Sequence, residues 1–394
     1  MFTIKTLNQI ALRGLERLPR DRYELSGEFD DPDAILLRSH RLAPEDLGAR
    51  LRAIARAGAG VNNVPVDACT ERGIVVFNTP GANANSVKEL VIAGLLLCGR
   101  DLIGGISYVR SLADVRDEAQ LNRLVEAEKK RFKGTELHGK ALGVVGLGAI
   151  GSLVARAALD LGMEVLGYDP AISVDAAWRL PSEVQRMENL PSLFARADFV
   201  TLHVPLLPAT TGLINEESLK AFKPGSVLLN FARQPIVDTV ALHAALASGH
   251  LRRYVADFPV PGLVEDERVL LTPHLGASTA EAEENCAVMA ADQLKRFLET
   301  GNIRNSVNFP VVQLEPSEGE RLAVINRNVP GMIGTMTSAL AEHDINVLDM
   351  LNKSRDELAY NLIDLSAAPT PALLEQLRAI DSVVDVRAIG TTAR

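Results

Sequence analysis

Three short polar segments, each following an apolar run typical of a buried strand, carry side chains that could perform chemistry. They contain Arg233, Asp257 and His274. An arginine in such a position can hold a carboxylate through two parallel hydrogen bonds. A histidine can accept the proton of a hydroxyl group while a hydride leaves the same carbon. Since ligands bind at the carboxyl ends of strands in open α/β sheets, we expect Arg233 and His274 to be the catalytic pair.

A glycine-rich turn upstream indicates what accepts the hydride. It follows the predicted strand 141–145 and opens a helix, which is the context of a dinucleotide-binding turn. The helix N-terminus favours the negative charge of a pyrophosphate. Asp169 ends the next strand, where an acidic residue binds ribose hydroxyls and repels a 2′-phosphate, so NAD is expected rather than NADP. The residues expected to bind NAD here are Gly146, Gly148, Ala149, Ile150, Gly151 and Asp169.

Further residues at strand ends are expected to border the same cofactor, with Asp257 near the nicotinamide. These residues are His203, Val204, Pro205, Ala232, Asp257 and Gly276. The three cysteines, Cys69, Cys98 and Cys286, are scattered and form neither a metal knuckle nor a disulfide framework. No metal is therefore expected.

Composition excludes several classes of function. The formal charge is −9 and aromatic residues make up 4% of the chain, so general nucleic-acid binding is not expected. The N-terminal 18 residues are interrupted by charges and lack a signal-peptide core. No apolar stretch is long enough and uninterrupted enough for a bilayer span, and we expect a cytoplasmic protein with no membrane partner.

Apolar strands alternate with helical patterns over most of the chain, which predicts an α/β protein with parallel sheets. One long helix is expected from about Ser86 to Val109, as a connector between domains. The stretch 302–319 is typical of a linker. Beyond it, the order β-α-β-β-α-β predicts a separate C-terminal unit.

The chain resembles the D-isomer-specific 2-hydroxyacid dehydrogenases, and within them the phosphoglycerate dehydrogenase group with a C-terminal ACT domain. The resemblance rests on segments spread over the whole chain: 37–39, 56–61, 77–83, 146–151, 203–206, 230–233 and 273–279. It implies a discontinuous, flavodoxin-like substrate domain (1–90 and 282–312), a Rossmann-type NAD domain (91–281) and an ACT domain (320–394). The catalytic cleft would lie between the first two.

The resemblance also implies site roles and a reaction. His274 would be the general acid/base and Arg233 the carboxylate clamp in NAD-dependent oxidation of 3-phospho-D-glycerate, the first step of L-serine biosynthesis. Backbone amides around three residues would bind the substrate carboxylate or border the nicotinamide, and two arginines would match positions near the substrate phosphate. These substrate-binding residues are Arg38, Ser39, Arg56, Ala59, Gly60 and Val61. Family members pair through the cofactor and ACT domains, so a homodimer or homotetramer is expected.

Two departures from the family pattern concern the catalytic centre. The family carries a glutamate five positions after the aspartate matched by Asp257, paired with the catalytic histidine, but Gly262 occupies that position. Glu265 or Glu267 could reach the same place only from a rearranged loop. The family's Arg-Gly is Arg233-Gln234 here, and a glutamine would be strained if the turn needed a positive φ.

The ACT resemblance implies an amino-acid ligand, with L-serine as a possible effector. Asn326, Asn328 and Asn346 fall on the matching positions, and their amides could bind a zwitterion, although asparagines at such positions also shape turns. Two alternatives stay open for the whole chain. One is a dehydrogenase for another D-2-hydroxy acid, of the glyoxylate or hydroxypyruvate type. The other is an NAD-binding regulatory protein with little catalysis.

Overall fold

The structure, a computed structural model, describes residues 1–315 and 319–390. Residues 316–318 of the expected linker and the last four residues of the expected C-terminal domain lie outside the described residues. The chain divides into two compact units, one formed by 1–83 with 280–394 and the other by 84–279.

The described strands, in chain order, are β1 Phe2–Leu7, β2 Tyr23–Ser26, β3 Ala34–Leu37, β4 Ala53–Arg56, β5 Val75–Phe77, β6 Ala141–Val145, β7 Glu164–Tyr168, β8 Gln185–Arg186, β9 Phe199–Leu202, β10 Ser226–Asn230, β11 Leu251–Ala256, β12 Val269–Leu271, β13 Glu320–Arg327, β14 Val347–Arg355, β15 Leu358–Leu365 and β16 Val383–Ile389.

The described α-helices are α1 Leu12–Leu15, α2 Val66–Glu71, α3 Ala84–Gly99, α4 Leu102–Ser111, α5 Glu118–Glu128, α6 Ala149–Asp160, α7 Val174–Ala177, α8 Leu190–Arg196, α9 Glu216–Lys220, α10 Thr239–Ala247, α11 Ala280–Thr300, α12 Met332–Glu342 and α13 Pro371–Ala379. Short 3₁₀ turns span Pro44–Asp46, Lys129–Phe132 and Gln234–Ile236.

The unit formed by 84–279 is built on one seven-stranded parallel sheet, in the order β12-β11-β10-β9-β6-β7-β8. Its central strands are buried throughout, as expected when helices cover both faces. All carboxyl ends meet at one edge. That edge therefore brings together the loops after β6, β7, β9, β10, β11 and β12, which hold the expected catalytic and cofactor residues.

The other unit contains two sheets. The first has five parallel strands in the order β2-β1-β3-β4-β5, the arrangement of a flavodoxin-like fold. The second is antiparallel in the order β14-β15-β13-β16, with α12 and α13 on one face. The expected α/β class, with two parallel-sheet parts and a C-terminal β-α-β-β-α-β part, is confirmed.

The free face of the antiparallel sheet is not exposed, because it shares a hydrophobic core with α11 and the parallel sheet of the same unit. Arg321 forms a buried ion pair with Asp364 at 2.7 Å and also donates to the Thr300 carbonyl. Tyr360 donates to the carbonyl of Gly301 at 2.8 Å, and Arg387 donates to that of Phe297. These contacts attach the C-terminal sheet directly to the end of α11.

The expected single helix from Ser86 to Val109 is wrong, because the structure breaks it into α3 and α4, which are bent by 66°. Gly99 ends the first helix, and Asp101 caps the second by accepting a hydrogen bond from the Gly104 N–H. A glycine favours the end of one helix and an Asp cap favours the start of the next. The apolar pattern continues across both residues and therefore did not predict the break. In the described chain no single helix is long and apolar enough to cross a membrane, and only this bent pair passes by length and composition.

Candidate active site

The glycine-rich turn after β6 has the geometry that a dinucleotide-binding turn requires. Gly146 adopts a φ of +92°, and a Cβ there would lie 2.7 Å from the carbonyl oxygen of His203. A Cβ at Gly151 would lie 1.9 Å from the carbonyl oxygen of Gly146, so close packing of helix on strand needs glycine. A Cβ at Gly148 would meet no atom within 4 Å, which leaves that face open to a pyrophosphate. The turn therefore fits NAD.

Asp169 directly follows β7 and lies beside the glycine turn. Its carboxylate accepts a hydrogen bond from the Leu147 N–H at 2.8 Å and another from the Ala171 N–H at 2.9 Å. These two bonds hold the carboxylate at the edge of the turn. A carboxylate has further acceptor sites, so it can still accept hydrogen bonds from ribose hydroxyls.

His203 follows β9 and borders the same turn. Its Nε2 lies 2.9 Å from Oγ1 of Thr201, while Nδ1 is buried without a hydrogen-bond partner among the described residues. Val204, next along the chain, contributes another of the atoms that would crowd a Cβ at Gly146. Burial lowers the pKa of His203 to about 3, so its imidazole is neutral at physiological pH.

We expect this buried histidine to make the protein less stable in mild acid. The unfolded chain binds a proton with a pKa near 6.5 and the folded chain only near 3, so stability falls as the pH drops below about 6.5. Relative to His203→Gln, the free energy of unfolding of the wild type should fall by about 1.4 kcal/mol per pH unit. Denaturant melts of both proteins at several pH values between neutrality and mild acid measure this slope. Parallel curves would contradict the prediction.

Arg233 is presented by a turn that Asn230 organises at the end of β10. The fully buried Asn230 amide donates to the Arg233 carbonyl at 2.9 Å and accepts from the Ala232 N–H at 3.1 Å. The Arg233 side chain is exposed and forms no ion pair with any described residue, so it can hold a substrate carboxylate. Gln234 does not have a positive φ, so the strain considered for this position does not arise.

Asp257 organises the loop that carries His274. The residue is only 2% exposed. Its carboxylate accepts hydrogen bonds from Thr272 Oγ1 at 2.6 Å, from the Leu275 N–H at 2.7 Å and from the Gly276 N–H at 2.6 Å. The Asp257 N–H also contacts the Asn230 carbonyl at 3.3 Å. Asp257 thus links the ends of β10, β11 and β12, and its expected contact with nicotinamide stays a prediction.

Replacing Asp257 by asparagine should lower kcat by about 100-fold, because misplacing a catalytic group by about 1 Å has an effect of that size. The new amide NH₂ would face backbone N–H groups in place of an acceptor, so the His274 loop must shift. Steady-state kinetics and a melting curve together measure this effect. Wild-type kcat would contradict the positioning role, and a higher KM for NAD at unchanged kcat would favour the direct cofactor contact instead.

His274 lies exposed just beyond β12, in a left-handed conformation with a φ of +59°. Such a conformation is uncommon outside glycine and often marks functional sites. The Phe258 ring packs edge-on against the imidazole, with ring centroids 5.2 Å apart. Within the described ranges, no carboxylate forms a hydrogen bond with this imidazole.

The acidic residues of the loop after β11 have other surroundings in the part of the chain that the structure describes. Gly262 has a φ of +80° and lines a cavity of about 310 Å³ beside α10. Asp266 pairs with Arg268 at 2.7 Å, Glu267 interacts electrostatically with Arg131, and Glu265 is exposed. No hydrogen bond joins Glu265 or Glu267 to His274 among the described residues, and a role for either of them in place of the family's glutamate stays a prediction.

The loop after β4, in the other unit, presents backbone donors. Among the described residues, the N–H groups of Ala59, Gly60 and Val61 have no backbone acceptor. Three successive free N–H groups suit a carboxylate or phosphate oxygen. The Asn78 amide supports this loop by donating to the Ala59 carbonyl at 2.7 Å.

Of the two arginines expected near a substrate phosphate, the side chain of Arg56 bonds to the backbone of Arg38. Arg56 Nε donates to the Arg38 carbonyl at 3.1 Å, and Arg38 pairs with Glu283 at 2.6 Å. Ser39 is held by its N–H bond to Asn8 Oδ1 at 3.0 Å. A phosphate bound here would compete with Glu283 for Arg38.

The expected effector residues lie in different surroundings within the C-terminal part. The Asn326 side chain is buried and bonded to the Arg327 carbonyl and to Asn361, whose own amide accepts from Asn352. Asn328 and Asn346 are exposed. The exposed pair is therefore better placed to meet a ligand from solvent than Asn326.

Sequence reasoning assigned no role to several residues that support the site. These are Asn78, Thr201, Phe258, Thr272 and Glu283. Asn78 lies inside a segment that matches the family pattern, which was an available signal. Thr201 lies only two residues before His203, which it contacts, whereas Phe258, Thr272 and Glu283 reveal their roles through contacts with more distant parts of the chain.

The chain matches the family model described as the D-isomer specific 2-hydroxyacid dehydrogenase NAD binding domain over residues 105–276. D-3-phosphoglycerate dehydrogenase of Haemophilus influenzae is 34% identical over 385 residues, which cover 94% of this chain and 89% of that protein. The Methanocaldococcus jannaschii enzyme of the same name is also 34% identical, but the matched part spans only 63% of its length.

Solved structures agree with this assignment. NAD⁺-bound 3-phosphoglycerate dehydrogenase of Entamoeba histolytica has a TM-score of 0.61 and 27% identity, over 78% of this chain and 98% of that one. D-mandelate dehydrogenase of Rhodotorula graminis has a TM-score of 0.65 and 27% identity, over 79% and 98%. The expectation of NAD as cofactor is confirmed by the matched NAD-binding domain. The chain belongs to the D-isomer-specific 2-hydroxyacid dehydrogenases.

Proposed function

We propose that the protein oxidises 3-phospho-D-glycerate to 3-phosphooxypyruvate with NAD, the first step of L-serine biosynthesis. The observation that carries the proposal is the edge of the seven-stranded sheet. There Arg233, which forms no ion pair with any described residue, and an exposed His274 follow strands β10 and β12, which are separated by one strand and therefore by about 10 Å. Several relatives about 34% identical bear the name of this enzyme.

The reaction needs an acceptor for a hydride and an acceptor for a proton. NAD, when bound, supplies the hydride acceptor at C4 of its nicotinamide. His274 takes the hydroxyl proton as the C2–H bond breaks and the carbonyl forms, and it returns that proton in the reverse direction. Arg233 holds the carboxylate with its guanidinium fork and fixes the orientation of C2. Arg38 and Arg56 supply positive charge for the phosphate.

A panel of hydroxy acids tests this assignment. We expect kcat/KM for 3-phospho-D-glycerate to exceed the values for D-glycerate, D-lactate and D-mandelate by at least about 100-fold, because a phosphate contact with arginine contributes several kcal/mol. The keto product should be trapped with hydrazine so that turnover continues. A preference for an unphosphorylated acid would overturn the substrate assignment and support the alternative dehydrogenase.

Among the described residues no carboxylate forms a hydrogen bond with His274, and this favours a second candidate, a regulatory NAD-binding protein with little catalysis. The family's glutamate orients the histidine and fixes its tautomer, and here Phe258 is the only described ring that packs on the imidazole. Binding of NAD together with no turnover of any acid in the panel would support this candidate.

We also propose that the protein forms a homo-oligomer in the cytoplasm. Helices α4 and α5 have no buried residue, and Ile103, Ile106 and Val109 are about half exposed along α4. An exposed apolar stripe of this kind suits contact with a second copy. Sedimentation of the wild type and Ile106→Glu distinguishes an oligomer through this face from a monomer.

L-serine is the effector that we propose for the C-terminal part, with Asn328 and Asn346 as its exposed contacts. Arg321, Tyr360 and Arg387 donate hydrogen bonds to backbone carbonyls at the end of α11. These bonds support the proposal that a change in the C-terminal sheet on binding of L-serine is passed to α11. Calorimetry with L-serine tests it, and no binding up to millimolar concentration would remove the proposal.

A further inference from the structure

One face of α11 borders a cavity that the proposed reaction does not use. The cavity has a volume of about 500 Å³, which is within the range of small-molecule sites. Val288 and Met289 form an apolar wall, and Asn285, Gln293 and Asn305 contribute amides. We call it the α11 pocket.

The charges of the α11 pocket favour an anion. Arg296 and Arg304 line it, and neither forms an ion pair with any residue in 1–315 or 319–390. Asp292 is the acidic residue in the lining, and its carboxylate is paired with Arg17 at 2.7 Å. Two unpaired guanidinium groups therefore face the cavity with no free carboxylate opposing them, and each can bind a carboxylate or phosphate bidentately.

Two of the amides of the pocket, those of Gln293 and Asn305, are held by hydrogen bonds. Gln293 is only 8% exposed and accepts a hydrogen bond from the Asn305 amide at 2.8 Å. Asn305 has a left-handed φ of +58°, which orders the turn that also carries Arg304. Preorganised polar groups lower the ordering cost of binding.

The same amides connect the pocket to the proposed substrate loop. Gln293 donates to the Asn78 carbonyl at 2.9 Å, and Asn78 in turn donates to the Ala59 carbonyl at 2.7 Å. Four residues thus form one chain of hydrogen bonds, from Asn305 in the pocket to the loop 59–61, whose N–H groups have no backbone acceptor among the described residues.

We propose that the α11 pocket binds a small dianion carrying phosphate or carboxylate groups, and that its occupancy strengthens substrate binding through Asn305, Gln293 and Asn78. The second part rests on the proposed function, because it takes 59–61 as the substrate loop. An occupant held by Arg296 and Arg304 would restrict the remaining motion of the hydrogen-bonded residues Asn305, Gln293 and Asn78. Less motion would then be lost when substrate binds to the loop, so substrate binds more tightly.

Calorimetry on the full chain with inorganic phosphate or succinate as the probe tests the site itself. We expect millimolar binding to the wild type that weakens at least tenfold in the double variant Arg296→Gln/Arg304→Gln. Arg20→Gln, which changes an exposed arginine elsewhere in the same unit, is the matched control. Binding of phosphate but not succinate would assign a phosphate ligand, and binding of succinate but not phosphate would assign a dicarboxylate. Equal affinities of wild type and double variant for both probes would overturn the site.

The connection to the substrate loop is tested by a second titration, with 3-phospho-D-glycerate in the presence and absence of the probe that binds. We expect at least threefold tighter substrate binding with the probe in the wild type, and no tightening in the double variant or in Gln293→Met. Unchanged or weaker substrate binding in the wild type would overturn the connection. Both measurements report binding without turnover, so a failure of the proposed reaction does not obscure them.

Discussion

Replacing His274 by glutamine is expected to lower kcat by about 10³-fold, the typical contribution of a positioned general acid/base. Glutamine keeps a polar side chain of similar reach but cannot take the hydroxyl proton. The KM for NAD should stay unchanged, because the glycine turn and Asp169 lie at a different part of the sheet edge. Steady-state kinetics with 3-phospho-D-glycerate measure both quantities.

His243→Gln is the matched control for this change, since His243 is an exposed histidine on α10 of the same unit. It should retain wild-type kcat. If His274→Gln also retained wild-type kcat, the imidazole would have no part in proton transfer, and the assignment of the catalytic pair would be wrong.

The second large effect is expected at Arg233. Arg233→Gln should reduce kcat/KM for the hydroxy acid by about 10³-fold, because two charge-assisted hydrogen bonds to the carboxylate are lost. Arg233→Lys keeps the charge but not the fork, so it should recover only part of the loss. Both constants come from initial rates at saturating NAD.

Arg186→Gln, at an exposed position on β8, is the control for loss of a surface charge. If this control and Arg233→Gln reduced kcat/KM equally, the effect would come from overall charge. A carboxylate clamp at Arg233 would then be excluded.

The parts of the fold that the sequence predicted are those with strong local signals. The sequence predicted a separate reason for glycine at 146, 148 and 151. In the structure a Cβ would clash with backbone atoms at 146 and 151, while the space beside Gly148 is open. The strand ends before Arg233 and His274 follow directly from short apolar runs, which form strands of five and three residues. The order of strands and helices in the C-terminal part was also predicted correctly from local patterns.

The parts that local patterns missed depend on tertiary contacts or on single breaking residues. Gly99 and Asp101 divide a helix whose apolar pattern continues across them. The packing of the C-terminal sheet on α11 depends on Arg321, Tyr360 and Arg387, none of which stands out in sequence. No sequence pattern reports a contact between residues so distant in the chain.

The site shows the same division. Arginine, histidine and aspartate types at strand ends predicted which residues gather at the sheet edge, but not what each carboxylate binds. Asp257 has its acceptor oxygens directed at the loop of His274, a role that only the geometry reveals. Likewise, the sequence of the loop around Gly262 did not predict the positive φ that Gly262 adopts, and this φ helps to set the path of the loop.

The most direct test of the account is a single turnover of the wild-type protein with bound NADH and 3-phosphooxypyruvate, followed by the loss of NADH absorbance. We predict that each subunit consumes one NADH and forms the D-isomer of 3-phosphoglycerate, and that His274→Gln binds NADH equally but consumes it about 10³-fold more slowly. Bound NADH that persists in the wild type would contradict the account.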